Sequence, residues 1–256
     1  MISLIFAATL LFAANASVEA PTLDCSLSAA EDVVVAKVID AGSFKLADGR
    51  NVRLAAIRPL LSGQPFAEGA RAELSNLLLG KHVQLAFDAR SVDRHGELIA
   101  HVYVDAVWVQ ARLIEEGLAR VQTQPDIKAC ARALLQREQE SRTERKGLWA
   151  DVLYRLRTPD DLPGDIGTFQ IMEGAPKTVV KRRDRTYVNF GADYRTDFTA
   201  TIGRRDLKYF AAAGADPKSW AGKKIRVRGW LSLLNGPEIE LTHPEQVEVL
   251  EESKPQ

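Results

Sequence analysis

From Glu31 onward, apolar and polar positions alternate in three short runs, Val33 to Ile39, Ser43 to Leu46 and Asn51 to Ile57, each bounded by turn-forming residues. A period of two marks half-buried strands. The second and third runs meet at Asp48-Gly49, the strongest short hairpin signal in the chain. The period then changes, because Phe66, Ala70, Leu74, Leu77 and Leu78 recur at helical spacing and Gly80 follows as a stop. A helix is therefore expected after the third strand. Strand patterning returns in "HVQLAFD" and "ELIAHVYVDAVWVQ" on either side of the turn "VDRHGE". Helices are expected over "VQARLIEEGLARV" and "CARALLQREQESRTERKGLW". The order predicts a five-stranded Greek-key barrel of OB type with added helices.

Residues 153–165 have no periodicity and carry two prolines, a glycine and charges of mixed sign, which reads as a linker. Beyond it, "IGTFQIME", "TYVNFG" and "DFTATIG" pattern as strands. "RRDLKYFAAAGADPKSW" patterns as a helix closing at Gly214, and "KKIRVRGWLSLLNGPEIEL" as a hairpin turning at Asn235-Gly236. The chain is thus expected to be mainly β with some α. It would hold one barrel at 31–152 and a second OB-like barrel at 166–252, without obvious repetition between them.

Composition narrows the picture only locally. The 256 residues hold 34 Lys+Arg and 34 Asp+Glu, with 46% hydrophobic and 27% charged positions, so no net field attracts a polyanion. The apolar run Leu4 to Ala14, followed by Ala14-Asn15-Ala16 and Val18-Glu19-Ala20, reads as a signal peptide over 1–20, although its start lacks Lys or Arg. A periplasmic or secreted protein without a membrane span in its mature form is the expectation. In an oxidising compartment Cys25 and Cys130 are expected to pair, closing a loop of about 105 residues worth about 4 kcal/mol. His82, His95, His101 and His243 lack metal-ligand spacing and read as ordinary surface or strand residues. The alternating charges of "QREQESRTERK" read as a solvated helix face.

The blocks "ADGRNVRLAAI", "GQPFAEGARAEL", "LLLGKHVQL", "DRHGELIAHVYV", "VQARLIEEGLARV" and "ERKGLW" stand in an order that resembles the staphylococcal nuclease (thermonuclease) family between Val33 and Trp149. The resemblance implies a calcium-dependent phosphodiesterase. Two carboxylates would hold the ion, a glutamate would orient the attacking water, and two arginines would neutralise charge on the phosphate. Carried onto this chain, "IDGDT" becomes "IDAGS", so Asp40 is kept while Ala41 replaces the glycine and Gly42 the metal-binding aspartate. The family's "RLxGIDAPE" becomes "RLAAIRPLL". Arg53 fits the first arginine, Arg58 takes the second calcium aspartate, and Leu61 takes the glutamate. "DRHGE" puts Glu97 in place of the second arginine.

One outer carboxylate is a thin ligand set for a hard cation that wants six or more oxygens. The expectation is a degenerate site without calcium or any other cofactor, with Arg53 the sole catalytic remnant or else an ion-pair partner of Glu97. A rebuilt site would have to draw on Asp40, Glu68, Asp88, Asp93 or Glu97.

In the second domain Lys177, Lys181, Arg182, Arg183 and Arg185 face one acid, Asp184, beside a strand bearing Tyr187 and Phe190, with Lys223, Lys224, Arg226 and Arg228 further on. Basic groups beside aromatics on a barrel strand suit single-stranded nucleic acid, and Lys181, Arg182, Arg183, Arg185 and Tyr187 are the expected contacts. Tyr187 and Phe190 lie three apart, so only one of them can face the ligand. Non-catalytic nucleic-acid binding is the leading expectation. The alternatives are a phosphodiesterase with a rearranged site and a module that binds a cell-envelope protein.

Overall fold

The structure, a computed structural model, describes Cys25, Leu27 and residues 30–250. The expected signal peptide lies outside the described residues. The first half runs β1 (Glu31–Val38), β2 (Ser43–Leu46), β3 (Asn51–Leu54), β4 (Ile57–Pro59), α1 (Ala67–Leu78), β5 (His82–Ala86) and β6 (Leu98–Val104). It continues with β7 (Val107–Trp108), α2 (Val109–Glu115), β8 (Ala119–Val121) and α3 (Ala131–Thr143). Strands pair in the order β3-β2-β1-β5-β6, and a parallel β3–β6 pairing closes the barrel. Val35, Phe44, Leu46, Val52, Leu85 and Val102 point inward and are essentially inaccessible to water. The Asp48-Gly49 turn forms as the sequence predicts. The Asp48 carboxylate accepts from the Arg50 N–H at 3.0 Å, and Gly49 takes a φ of 94° that other residues avoid. β1 serves two neighbours by changing partner midway, from β5 to β2, with a register shift between Val35 and Lys37.

The second half repeats this circuit. It comprises β9 (Phe169–Gly174), β10 (Thr178–Lys181), β11 (Arg185–Asn189), β12 (Thr199–Gly203), α4 (Leu207–Ala212), β13 (Ile225–Leu233), β14 (Pro237–Glu240) and β15 (Val247–Val249). β9 pairs with β13 and β10 with β11. β11 then pairs with β12, β12 runs parallel to β14, and β14 returns to β13. β9 and β10 thus act as one strand interrupted around Pro176, which lacks the N–H a continuous ladder needs. Two five-membered circuits with a helix after the third member make this a chain of two OB-like barrels.

Several local expectations need correction. The second helix stops at Glu115. Gly117, at φ 65°, lies so close to the next segment that a Cβ there would sit 2.2 Å from the Lys146 carbonyl oxygen. The chain turns, and residues 119–121 become β8, antiparallel to the unforeseen β4. The third helix ends at Thr143. The segment 153–165 folds into short 3-10 turns. There Arg155 meets Asp161 at 2.8 Å and Arg157 meets Asp165 at 2.6 Å, while Tyr154 is buried. A disulfide joins Cys25, six residues ahead of β1, to Cys130 at the start of α3.

The barrels share a substantial seam. One apolar cluster contains Ala41, Leu60, Ala67, Leu148, Trp149 and Tyr154 from the first half together with Phe169 and Ile171 from the second. Polar bolts flank it. Arg228 of β13, 1% exposed, lies 2.8 Å from Glu138 of α3 and 2.7 Å from Glu248, and donates to the Val121 carbonyl at 3.1 Å. Arg226 reaches Glu173 at 2.8 Å, Glu248 at 3.1 Å and Gln139 at 3.2 Å. Burial alone would raise the Glu138 carboxyl, but the Arg228 guanidinium, together with Arg142 and the Val121 N–H, outweighs it and holds Glu138 below the usual range. Arg120, drawn down to about 10 by burial and by nearby Arg58, donates to the Phe169 carbonyl at 3.0 Å.

These bolts overturn three readings. Arg226 and Arg228 are buried ion-pair partners, and Lys223 and Lys224 precede the strand. Glu138 leaves the supposedly solvated helix face for the seam. His243, outside any strand, is buried there too, within 2.7 Å of the Thr123 hydroxyl, whereas His101 is the strand residue expected, on β6 with its side chain buried.

Candidate functional site

The first barrel opens onto a cavity of about 450 Å³ whose walls come from β3, the following turn, β4, the β5–β6 connection and the chain after β8. β3 alternates, so Val52 and Leu54 pack inward while Arg53 turns outward, 54% exposed. Ala56 then adopts φ 58°, a left-handed conformation that an L-residue takes only when its surroundings hold it there. That turn swings the chain into β4, and Arg58 joins the wall. The β5–β6 connection adds Arg90, Asp93, Arg94 and His95, while Gln122 and Gln124 complete the lining.

Four guanidinium groups thus face one lining acid. Asp93 is already engaged, accepting from the His95 N–H at 2.7 Å and the Glu97 N–H at 3.0 Å. These bonds outweigh the upward pull of desolvation and lower its pKa. Glu97 stands 3.6 Å from Arg53, an exposed pair of small worth. Arg90 meets Asp126 at 3.2 Å, and Arg94 contacts the His95 ring at 3.0 Å. Arg58 has no ion-pair partner among the described residues. Its guanidinium instead stacks 4.3 Å from the Trp230 ring, with Phe169 5.6 Å away, and burial lowers its pKa without discharging it.

The residues aligned with a calcium site do not fit one. Asp40 accepts from the Gly42 N–H at 2.8 Å, closing a local turn. A Cβ on Gly42 would lie 2.5 Å from Pro59 Cγ and 2.6 Å from Pro59 Cβ, so the proline ring fills the room a side chain there would need. Arg58 brings a fixed positive charge where the second ligand would stand. Leu61, 56% exposed, offers neither a lone pair nor a proton acceptor. The other acids are elsewhere or occupied. Glu68 pairs with Arg71 on the exposed side of α1, and Asp88 accepts the Ala129 N–H at 2.6 Å just before α3.

Residues 48–151, which take in Arg53 on the third strand and the whole arginine cleft at the barrel mouth, match the family described as staphylococcal nuclease homologue, while β1 and β2 of the circuit precede that span. The first barrel is a staphylococcal-nuclease-like domain. The chain is 32% identical over 135 residues to the SPbeta prophage-derived endonuclease YokF of Bacillus subtilis, covering 48% of this chain and 45% of that protein. It is 37% identical over 94 residues to endonuclease YncB of the same organism, covering 36% and 44%. It is 29% identical over 129 residues to the micrococcal nuclease of Shigella flexneri, covering 46% and 72%. The match spans less than half the length of the first two relatives.

Outside the nuclease-like domain, the basic hairpin of β10 and β11 divides. Lys181, Arg182 and Arg183 are exposed, whereas Arg185 is tied to Glu238 at 2.9 Å and Glu240 at 3.6 Å. Tyr187 is half-buried and lines a cavity of about 350 Å³ with Arg182, Asn189, Tyr194 and Asn235, while Phe190 packs inside against Phe198 at 5.0 Å. No residue lines both this cavity and the arginine cleft. Sequence reasoning overlooked Arg90, just ahead of "DRHGE", and Arg94, the arginine within it, whose signal was their place in the β5–β6 connection. It also overlooked Trp230, an aromatic at the one outward position in an otherwise buried stretch of β13.

Proposed function

We propose that the protein binds nucleic acid through the arginine-lined cleft of its nuclease-like domain and does not perform calcium-dependent cleavage. The observation that carries this reading is the charge balance of the cleft: Arg53, Arg58, Arg90 and Arg94 line it with one acid, Asp93, and although Glu97 pairs with Arg53 and Asp126 with Arg90 at its edge, Arg58 and Arg94 have no ion-pair partner among the described residues. Guanidinium groups match phosphate oxygens in charge and in planar geometry, and neutralising several phosphates releases counterions. Arg58 supplies permanently the positive charge an ion would otherwise bring, while Leu61 leaves the attacking water without an acceptor. The exposed Lys181, Arg182 and Arg183 offer a second contact for a longer strand. The apolar N-terminal run supports an exported location for this activity.

A second reading keeps catalysis as a phosphodiesterase with a rearranged, metal-free site. It rests on His95, an imidazole lining the cleft beside Arg94. Labelled single-stranded DNA and RNA, titrated with calcium and separately with chelator, distinguish the readings when both anisotropy and fragment length are followed. Salt-sensitive binding with intact fragments is the expected result. Calcium-dependent shortening overturns the proposal, and shortening in chelator transfers it to the His95 reading.

A further inference from the structure

A second cavity, about 340 Å³, lies between the barrels, with Phe169, Trp230 and His243 on one side and Gln122, Thr123 and Gln124 on the other. Gln122 and Gln124 also line the arginine cleft, so the two hollows share a wall. Trp230 stands at this junction. The other three tryptophans, Trp108, Trp149 and Trp220, are 7%, 7% and 3% exposed, whereas Trp230 is 49% exposed. Its indole is contacted from one side, with the Arg58 guanidinium 4.3 Å from the ring and the Phe169 ring edge-on at 6.5 Å. An indole that large gains little by facing water, and these contacts restrict its orientation.

We propose that Trp230 is a base-stacking subsite: the second barrel supplies the base-binding half of a site whose phosphate-binding half is the arginine cleft of the first. This rests on the nucleic-acid reading above and extends it to a ligand class, single-stranded nucleic acid. Stacking on an aromatic ring requires a base with a free face, and bases within a duplex are already stacked on their neighbours. Arg58 links the two halves, because one guanidinium both packs on the indole and faces the cleft where phosphates would run. The base lies on the part of the indole that Arg58 leaves open.

The test compares a fluorescent single-stranded oligothymidylate with an abasic strand of the same length, which keeps the phosphates and lacks the bases. Intrinsic fluorescence of the unmodified protein should be quenched by the oligothymidylate and not by the abasic strand, since Trp230 is the one tryptophan that lines either of these two hollows. In anisotropy, Trp230→Ala should weaken oligothymidylate binding by about 10-fold or more and leave abasic binding unchanged, and Trp230→Phe should restore most of the loss. Equal weakening for both strands would mean that Trp230 only supports the seam, and the inference fails while nucleic-acid binding stands. Wild-type affinity in Trp230→Ala, or no quenching, also overturns the inference alone. Absence of binding to both strands by the unmodified protein overturns the nucleic-acid reading itself.

Discussion

The two barrels trace the same strand circuit and both carry arginines on their strands, yet they put them to opposite uses. On β13 Arg226 and Arg228 meet Glu138, Glu173 and Glu248, and the seam closes over them until Arg228 is 1% exposed. On β3 and beyond, Arg53, Arg58, Arg90 and Arg94 line open space with one acid, Asp93, and only Arg53 and Arg90 find further carboxylates, Glu97 and Asp126, at its edge. Topology therefore does not decide whether a strand cation is structural. The supply of carboxylates on the facing element does, since a buried guanidinium without a partner is prohibitively costly and an exposed one is cheap.

Removing the most deeply buried cation should give the largest effect. Arg228→Ala leaves Glu138, fully buried, and Glu248 without their shared partner, and should lower unfolding free energy by about 3–5 kcal/mol in chemical denaturation. A loss under about 1 kcal/mol would erase the distinction between the two sets of arginines. Acid should come next. Burial holds His243 at about 4, with Lys128 adding to the effect, and burial likewise holds His101 at about 4, against an ordinary 6.5. Each is neutral in the folded protein, so between pH 6.5 and 4 the unfolded chain binds more protons. Their contribution is then complete above pH 6.5 and is lost as pH falls towards 4. Melting temperature should drop across that window, and His243→Gln should flatten the slope. An unchanged slope would place the acid sensitivity elsewhere. The smallest stability effect belongs to the cleft: Arg53→Ala, at an exposed position, should stay within about 0.5 kcal/mol of wild type while the log–log salt dependence of nucleic-acid binding falls by about 1.

The first barrel was legible because each of its signals is local. Period-two runs, Asp48-Gly49 and the helical spacing of Phe66 to Leu78 each specify their own element, and the family blocks follow one another in order. What sequence could not supply were the relations between barrels. Alternating Arg226 and Arg228 look the same whether they face water or Glu138, and "QREQESRTERK" looks solvated until a second domain covers part of it. The unexpected arginine of "RPLL" makes sense only at the seam, where Arg58 stacks on Trp230 and its neighbour Leu60 joins Phe169 and Ile171 in one cluster, whereas Leu61 stays exposed. β4 and β8 went unseen for a related reason: three-residue strands carry almost no periodicity of their own and exist because they pair with each other.

The contact between Gly42 and Pro59 gives the cleft a direction in time. On the proposed reading, a carboxylate returned at position 42 meets a ring already occupying its space, while removing the ring alone opens a gap and provides no ligand. Neither single change leads back to a calcium site, and Arg58 would still need to leave its place on Trp230. On that reading, a side chain at position 42 and the ring at position 59 exclude each other, so regaining a metal ligand there takes more than one change, whereas the barrel can be refined as a binding surface without any of them.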